Sequence, residues 1–140
     1  MTQISPTRVV ERIDDWIVRL NDLYDTLDTW LETIPHDRVV RSAVRQTIEP
    51  QMRRSKVAPR KLPTYTIFRN GNRIAFVPSV LWMAGANGRI DVTTDSREHI
   101  LVDRGTDEHV GKWQIVVDDY KRLLIPFNKA QLARLVGEEG

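Results

Sequence analysis

The sequence has no cysteine among its 140 residues, which excludes disulfides, thiolate metal sites and cysteine nucleophiles. This absence is typical of proteins in a reducing compartment, and we therefore expect a cytoplasmic location. The sequence also has no long apolar run, because the longest uncharged stretch, residues 74–88, is interrupted by Pro78 and Ser79. A membrane-spanning helix needs about 20 apolar residues, so no membrane span is expected. Residues 1–6 show neither the basic start nor the apolar centre of a signal peptide.

Sequence motifs that carry catalytic chemistry are also missing. The chain has no H-E-x-x-H or D-x-D-x-D-G pattern for a metal and no G-x-S-x-G elbow for a nucleophilic serine. The polar segment 103–112 differs from a phosphate loop, because five residues separate its two glycines and Trp113 stands where Ser or Thr is required. We therefore predict no catalytic residues, no metal and no cofactor, and we favour a non-enzymatic protein.

One long amphipathic segment dominates the first quarter of the chain. Its apolar residues recur at alternating spacings of four and three, as on one face of a helix. This row consists of Val9, Ile13, Trp16, Leu20, Leu23, Leu27, Trp30 and Ile34, and a second row of Val10, Ile17, Tyr24 and Leu31 lies beside it. Ser5 can cap the helix, Pro6 suits its first position and Pro35 ends it. The pattern predicts a single helix between Ser5 and Pro35.

The length of this helix suggests a use for it. A helix of about 28 residues spans roughly 42 Å, which is more than the width of a small domain. We therefore expect part of the apolar face to pack internally and the rest to bind a second subunit, which predicts a homodimer or a protein partner. The residues expected to contact the partner are Trp16, Leu20, Leu23, Leu27, Trp30 and Leu31. The alternative is a core helix buried wholly within its own chain.

The charges are distributed unevenly along the sequence. Residues 1–34 carry seven acids against three bases, whereas residues 35–63 carry eight bases against two acids. The eight bases are Arg38, Arg41, Arg45, Arg53, Arg54, Lys56, Arg60 and Lys61. Three explanations are open for these bases: they match the acidic face of the first helix, they belong to a solvated linker, or they contact the phosphates of a nucleic acid. Asp28 and Glu32 favour the first explanation, because acids near a helix C-terminus oppose the helix dipole and need a basic partner.

The middle of the sequence changes from a helical to an alternating pattern. Residues 37–49 have an apolar face and an adjacent basic row, which predicts a second helix, and residues 50–63 are interpreted as a basic linker that contains prolines. From Thr64 the apolar residues alternate, and Asn70-Gly71 predicts a two-residue hairpin turn. That turn pairs Ile67 with Ile74 and Tyr65 with Phe76, on one face of the sheet.

The remaining sequence predicts short strands and one helix. Turn residues separate candidate strands near residues 80–84, 89–94, 98–103, 112–117 and 121–125. The last two strands are expected to align Trp113 with Phe127, Ile115 with Ile125 and Val117 with Leu123. A C-terminal helix is expected to begin at its cap Asn128, bury Leu132, Leu135 and Val136, and end at Gly137.

These patterns together predict an α+β fold with a long N-terminal amphipathic helix plus a second helix, an antiparallel β-meander or small open barrel, and a short C-terminal helix. The predicted organisation is a helical segment over residues 1–49, the linker over residues 50–63, and a β domain with its C-terminal helix over residues 64–140. We expect these parts to form one folded unit.

Three functions remain open from the sequence. The favoured hypothesis is a binding or assembly module that uses the long helix. The first alternative is a nucleic-acid-binding protein that uses the basic residues between Arg38 and Lys61. The second is a small-ligand sensor or enzyme around the loops of residues 95–112, with His99, Asp107 and His109 in its site. Trp82 and Met83 are candidates for lining an apolar pocket.

Overall fold

The computed structural model describes residues 5–106, 110–118 and 123–139. Within these ranges the chain forms a long helix, an antiparallel sheet and two shorter helices, which confirms the α+β fold class. The helices are α1 (Pro6–Leu31), α2 (Pro50–Ser55) and α3 (Lys129–Glu139). The strands are β1 (Arg38–Arg45), β2 (Lys61–Arg69), β3 (Asn72–Val80), β4 (Arg89–Thr93), β5 (Glu98–Asp103), β6 (Trp113–Asp118) and β7 (Leu123–Pro126). The strands follow sequence order in an open meander, with β1 and β7 at its two edges.

Helix α1 forms as its sequence pattern predicts. The Ser5 side chain accepts a hydrogen bond from the backbone N–H of Arg8 at 3.1 Å, and Pro6 occupies the first turn. The helix ends at Leu31, a few residues before Pro35. Apart from the exposed Val10, its apolar rows pack against the sheet and α3, and they meet apolar residues of α2, β2–β6 and α3 in one core. The long helix is therefore a core element of its own chain.

The β2–β3 hairpin confirms the register predicted from its turn. Ile67 pairs with Ile74 and Tyr65 pairs with Phe76. All four side chains are fully buried, as expected for residues on one face of the sheet. Asn70 and Gly71 both have positive φ, which the mirror-image hairpin turns require.

The second helix predicted over residues 37–49 is wrong, because residues Arg38–Arg45 form strand β1. The apolar spacing that indicated a helix face does not mark a buried surface. Val40, Val44 and Ile48 are all more than a third exposed. β-branched valines suit a strand, and eight consecutive residues of β1 pair in register with β2. A long-range partner for the backbone therefore overrides the local helical pattern.

The linker predicted over residues 50–63 also needs correction. Pro50 begins α2, where a missing N–H has no cost, and Lys61–Pro63 already belong to β2. Met52 of α2 is fully buried in the core, so this segment is anchored by apolar packing. The strand predicted near residues 80–84 is replaced by a loop in which Met83 bridges Ala86.

The C-terminal elements agree with the sequence in most respects. Ile115 pairs with Ile125 as predicted, but a register shift after Val116 places Asp118, and not Val117, opposite Leu123. In α3, Asn128 caps the first turn, since its Oδ1 accepts the N–H of Gln131 at 3.0 Å. Leu132, Leu135 and Val136 are buried. The predicted end at Gly137 is wrong, because the helix continues to Glu139.

Candidate functional site

A cleft of about 790 Å³ opens beside the first turns of α1. The helix contributes Arg8, Arg12 and Asp15 to one side of it. The residues 82–87, which follow β3, and the residues 104–106, which follow β5, form the other side, and Gln51 of α2 completes the lining. Because these segments are far apart in sequence, the cleft exists only in the folded chain.

The spacing of residues in α1 turns three charged side chains toward the cleft. Arg8 and Arg12 are four residues apart and Asp15 follows three residues later, so they are neighbours on the helix surface. Val9 and Ile13 are fully buried beside them. The packing of these apolar residues fixes the rotation of the helix and therefore the direction of the arginines.

Arg12 is held from two sides. Its Nη2 donates a hydrogen bond to Asn87 Oδ1 at 2.7 Å, and its guanidinium carbon lies 5.9 Å from the centre of the Trp82 ring, within cation–π range. Burial lowers the pKa of Arg12, and Arg19 and Arg8 lower it further, while two nearby carboxylates act in the opposite direction. An anion that enters the cleft would reduce the repulsion among these guanidinium groups.

A buried ion network lies beneath the cleft. Arg19 Nε donates to Asp15 Oδ2 at 2.8 Å, and Arg19 Nη1 donates to Asp103 Oδ2 at 2.6 Å and to the backbone carbonyl of Asn87 at 2.7 Å. Asp103 Oδ1 accepts the N–H groups of Gly105 and Lys112. The network therefore ties α1 to both loops of the opposite side, and Asp15 Oδ2 pairs with Arg19.

Glu49 fixes the start of the loop that carries Trp82. Its two carboxylate oxygens accept the backbone N–H groups of Leu81 at 2.9 Å and Trp82 at 3.0 Å. Burial raises the pKa of Glu49, although these hydrogen bonds and the nearby Arg12 act to lower it. A carboxylate with little solvent contact thus stabilises the backbone at the point where the chain leaves β3.

Two buried polar atoms of cleft residues have no hydrogen-bond partner among the described residues. They are the indole Nε1 of Trp82, which is a donor, and Oε1 of Gln51, which is an acceptor. Buried polar groups are nearly always paired, and leaving one unpaired costs roughly 1–3 kcal/mol. Both atoms are shielded from solvent, so a ligand in the cleft reaches them only if the Trp82 and Gln51 side chains turn toward it.

The residues predicted to contact a partner lie mainly inside the molecule. Within the chain Trp16, Leu20 and Leu27 are fully buried, and Leu23 and Leu31 are at most 5% exposed. Trp30 is half-buried, with its ring 5.8 Å from that of Phe127 in an edge-on arrangement. These side chains pack against the sheet and α3 of their own chain, which favours the alternative of a core helix. Self-association through the long helix stays a prediction.

The eight bases of residues 38–61 divide into three groups. Arg41 donates to Asp25 at 2.8 Å and to Asp28 at 2.7 Å, and Arg60 pairs with Asp14. The predicted pairing with the acidic face of α1 is therefore confirmed for Arg41 and Arg60, although Arg41 lies on strand β1 and not on the predicted second helix. Arg38 lies over the ring of Phe68 at 4.2 Å. The other five are exposed and form no ion pair with the described residues, namely Arg45, Arg53, Arg54, Lys56 and Lys61.

The histidine site predicted around residues 95–112 is described only in part. His99 lies half-buried on β5, while Asp107 and His109 lie outside the described residues. In the described part of the chain, no group of three His, Cys, Asp or Glu side chains is placed to hold a metal ion. Arg104, from the same loop, does line the cleft.

Sequence reasoning missed most of the cleft. Nothing in the local pattern of Arg8, Arg12 and Arg104 separates a cleft arginine from a solvated one. Trp82 and Met83, the candidates for an apolar pocket, both line this cleft together with its arginines. Trp82 also packs against the core, and Met83 lines a second cavity of about 630 Å³ whose lining is mainly apolar. The available signal was the combination of a lone tryptophan with glycine at Gly85 and Gly88, which marks an irregular loop.

No family model, curated protein or solved structure matches this chain. The cleft must therefore be interpreted from its own chemistry. None of the helices in the described ranges is both long and apolar enough to span a membrane.

Proposed function

We propose that the protein binds a small anionic molecule in the cleft beside α1 and does so without catalysing a reaction. The observation that supports this most directly is the charge of the lining. Arg8, Arg12 and Arg104 surround the cleft, and its one carboxylate, Asp15, is already paired with Arg19. Guanidinium groups bind carboxylate and phosphate through paired hydrogen bonds, so either anion suits this lining.

On this proposal the neutral part of the ligand pairs with the two unpaired polar atoms once their side chains turn toward the cleft. Trp82 Nε1 needs an acceptor and Gln51 Oε1 needs a donor. Heteroaromatic bases and amides carry both groups on one edge. The ligand class that fits is therefore a phosphate or carboxylate joined to such a group, which includes the nucleoside monophosphates.

Binding without catalysis is favoured by the residue types in the lining. The described residues that form the cleft include no His, Lys, Cys or Tyr, and its carboxylate is held in an ion pair. General acid–base catalysis needs a group that can gain and lose a proton near the working pH. Arginine stays protonated, so it binds charge and does not transfer protons.

The experiment is a calorimetric titration with adenosine 5′-monophosphate, and uncharged adenosine serves as the matched ligand. We expect the monophosphate to bind and adenosine to bind at least about tenfold more weakly, because it lacks the charge that the arginines recognise. Arg12→Gln and Arg104→Gln should each weaken binding of the monophosphate by about tenfold or more. Arg45→Gln removes an exposed arginine outside the cleft and should have no effect.

Two results would contradict the proposal. One is equal binding of the monophosphate and adenosine, since the arginines would then have no role. The other is equal loss of affinity in Arg12→Gln and Arg45→Gln, which would indicate a general effect of net charge and not a defined cleft.

A further inference from the structure

Strand β1 is an open edge of the sheet. Its neighbour on one side is β2, and no further strand follows on the other side in the described chain. Seven of its eight residues are exposed, and Val39 is half-buried against the core. An edge of this length presents a row of backbone N–H and C=O groups that another strand can pair with.

The register shows which residues of β1 carry the outward groups. In an antiparallel ladder, hydrogen-bonded pairs alternate with non-bonded pairs. The two-residue turn after Arg69 makes the odd-numbered residues of β2 bond to β3, so its even-numbered residues bond to β1. Thr64 therefore bonds to Ser42 and Thr66 to Val40. A hydrogen bond from Gln46 N to the Arg60 carbonyl at 2.7 Å continues the same alternation.

The residues between these pairs have backbone groups that point away from β2, toward the open edge. They are Val39, Arg41, Ala43 and Arg45, whose backbone N–H and C=O groups face the open edge. Natural edges are often blocked by proline, by a bulge or by a short strand. β1 has eight residues, no proline and an unbroken register with β2, so none of these features blocks it.

The charge of the edge indicates what can pair with it. β1 contains three arginines and no acid. Arg41 is neutralised by Asp25 and Asp28, but Arg45 lies directly opposite Lys61, and neither pairs with a carboxylate of the described residues. Like charges opposite each other on adjacent strands are destabilising, and acidic side chains nearby would relieve this repulsion.

A second copy of β1 fits this edge poorly. Antiparallel pairing of two β1 strands must set the outward residues of one copy opposite the outward residues of the other, so a twofold axis passes through a residue. An axis at Ser42 places Arg41 opposite Ala43 and Arg45 opposite Val39. Each copy of β1 then contributes three arginines and no acid, so pairing adds positive charge to an edge where Arg45 already faces Lys61. The edge therefore disfavours its own copy and favours a chain of opposite charge.

We propose that β1 binds an extended acidic segment of a partner protein, which adds to the sheet as an eighth strand. The backbone of the segment pairs with the outward groups of Arg41, Ala43 and Arg45, and its acidic side chains lie on the face that carries Arg45 and Lys61. Val40 and Val44, which are 38% and 37% exposed on one face of β1, offer apolar contact to its alternate residues. This surface is separate from the cleft beside α1 and does not depend on it.

The probe is a fluorescent peptide of about eight alternating valine and glutamate residues, the length of an ordinary strand. Controls are the same peptide with lysine in place of glutamate, and a short labelled oligothymidine. Fluorescence anisotropy should show binding of the acidic peptide and at least about tenfold weaker binding of the basic one. Failure of the acidic peptide to bind would overturn the proposal. Tighter binding of oligothymidine that the variants below do not affect would overturn it in favour of a nucleic-acid surface.

Substitutions at Ala43 separate strand pairing from simple charge attraction. Ala43→Pro removes one outward N–H at the centre of the edge and leaves the hydrogen bonds between β1 and β2 in place. Ala43→Val keeps that N–H and serves as the matched variant. We expect Ala43→Pro to weaken binding of the acidic peptide by about tenfold or more. Ala43→Val should bind the peptide as the natural protein does.

Equal affinity of the two Ala43 variants would show that the peptide is held by charge alone, which overturns the proposal. The natural protein supplies a second measurement that does not depend on how Ala43→Pro folds. Saturation with the acidic peptide should slow amide hydrogen exchange at Arg41, Ala43 and Arg45, whose N–H groups face the edge. Unchanged exchange at these three residues would likewise contradict strand addition.

Discussion

Arg19 of α1 and Asp103 at the end of β5 form an ion pair that is fully excluded from solvent. Arg19 Nη1 lies 2.6 Å from Asp103 Oδ2, and 84 residues of sequence separate them. The same carboxylate accepts the N–H groups of Gly105 and Lys112. This one pair therefore fixes the distance between the helix and the loop that carries Arg104, which are opposite sides of the cleft.

Replacing Asp103 by asparagine should destabilise the protein strongly. The substitution keeps the size of the side chain but leaves the buried Arg19 with Asp15 as its only carboxylate partner among the described residues. Breaking a buried ion pair typically costs 3–5 kcal/mol, so we expect a loss of about 3 kcal/mol or more in the free energy of unfolding, measured with urea.

Arg41→Ala provides the comparison for an exposed ion pair. Arg41 bonds to two carboxylates at similar distances, but all three side chains are more than a third exposed. Pairs of this kind contribute about 1 kcal/mol or less. If both variants lost the same stability, burial would not be the reason for the strength of the Arg19–Asp103 pair.

Replacing Gly88 by alanine should disturb the contact between α1 and the cleft loop. Gly88 has φ +129, and a Cβ atom there would lie 2.9 Å from Trp16 Nε1, a fully buried side chain. Overpacking of a core commonly costs about 1–3 kcal/mol, and backbone strain adds a similar amount. Urea unfolding should show a loss of at least about 2 kcal/mol by these two effects.

Gly85→Ala isolates the backbone part of this effect. Gly85 also has a positive φ of +78, but a Cβ atom there would meet nothing within 4 Å. Its alanine variant should therefore lose less stability than that of Gly88. Equal losses would mean that the contact with Trp16 contributes nothing.

The sequence predicted those elements whose contacts are local. The apolar row of α1 depends only on spacing within one helix, and it correctly identified the buried face. The β2–β3 hairpin was predicted with its register because Asn70-Gly71 determines both the turn and the pairing.

Elements that depend on distant partners were not predictable in the same way. β1 has valines at helical spacing, and it becomes a strand by pairing with β2. In the sequence, α2 separates the two strands. The cleft brings together Arg12, Gln51, Trp82 and Arg104, from four separate segments. Each of these side chains is unremarkable in its own segment, so only the tertiary structure identifies the group.

Glu49 should make the stability of the protein depend on pH above 4.5. Because burial raises its pKa above the usual 4.5, the folded protein holds a proton at pH values where the unfolded chain has lost it. The stabilising contribution is complete below pH 4.5 and is lost as the pH rises through the folded value. Glu49→Gln removes this dependence.

The measurement is urea unfolding of the natural protein and of Glu49→Gln at several pH values. The stability of the natural protein relative to the variant should fall as the pH rises from below 4.5 toward neutrality. Glu32→Gln, which removes an exposed carboxylate at the end of α1, provides the reference. If the natural protein instead became more stable relative to Glu49→Gln as the pH rises, the two backbone hydrogen bonds of Glu49 would outweigh the effect of its burial.

Tyr24 and Tyr65 should resist ionisation until the protein unfolds. Tyr24 donates its hydroxyl to the carbonyl of Pro63 at 2.9 Å, and Tyr65 donates to Asp28 Oδ1 at 2.6 Å. Burial raises the pKa of both phenols above the usual 10, and the Asp28 carboxylate raises that of Tyr65 further. Ionisation would break both hydrogen bonds and leave a phenolate in an apolar core.

The sign of the pH effect follows from these raised values. Above pH 10 the tyrosines of the unfolded chain lose protons that the folded protein retains, so stability falls as the pH rises. In the variant Tyr120→Phe, whose changed position lies outside the described residues, phenolate absorbance should increase in one step together with the loss of helical circular dichroism. Adding Tyr65→Phe to Tyr120→Phe should halve this increase in phenolate absorbance. Two phenols that titrate near pH 10 while the helix signal stays constant would contradict the burial of these hydroxyls.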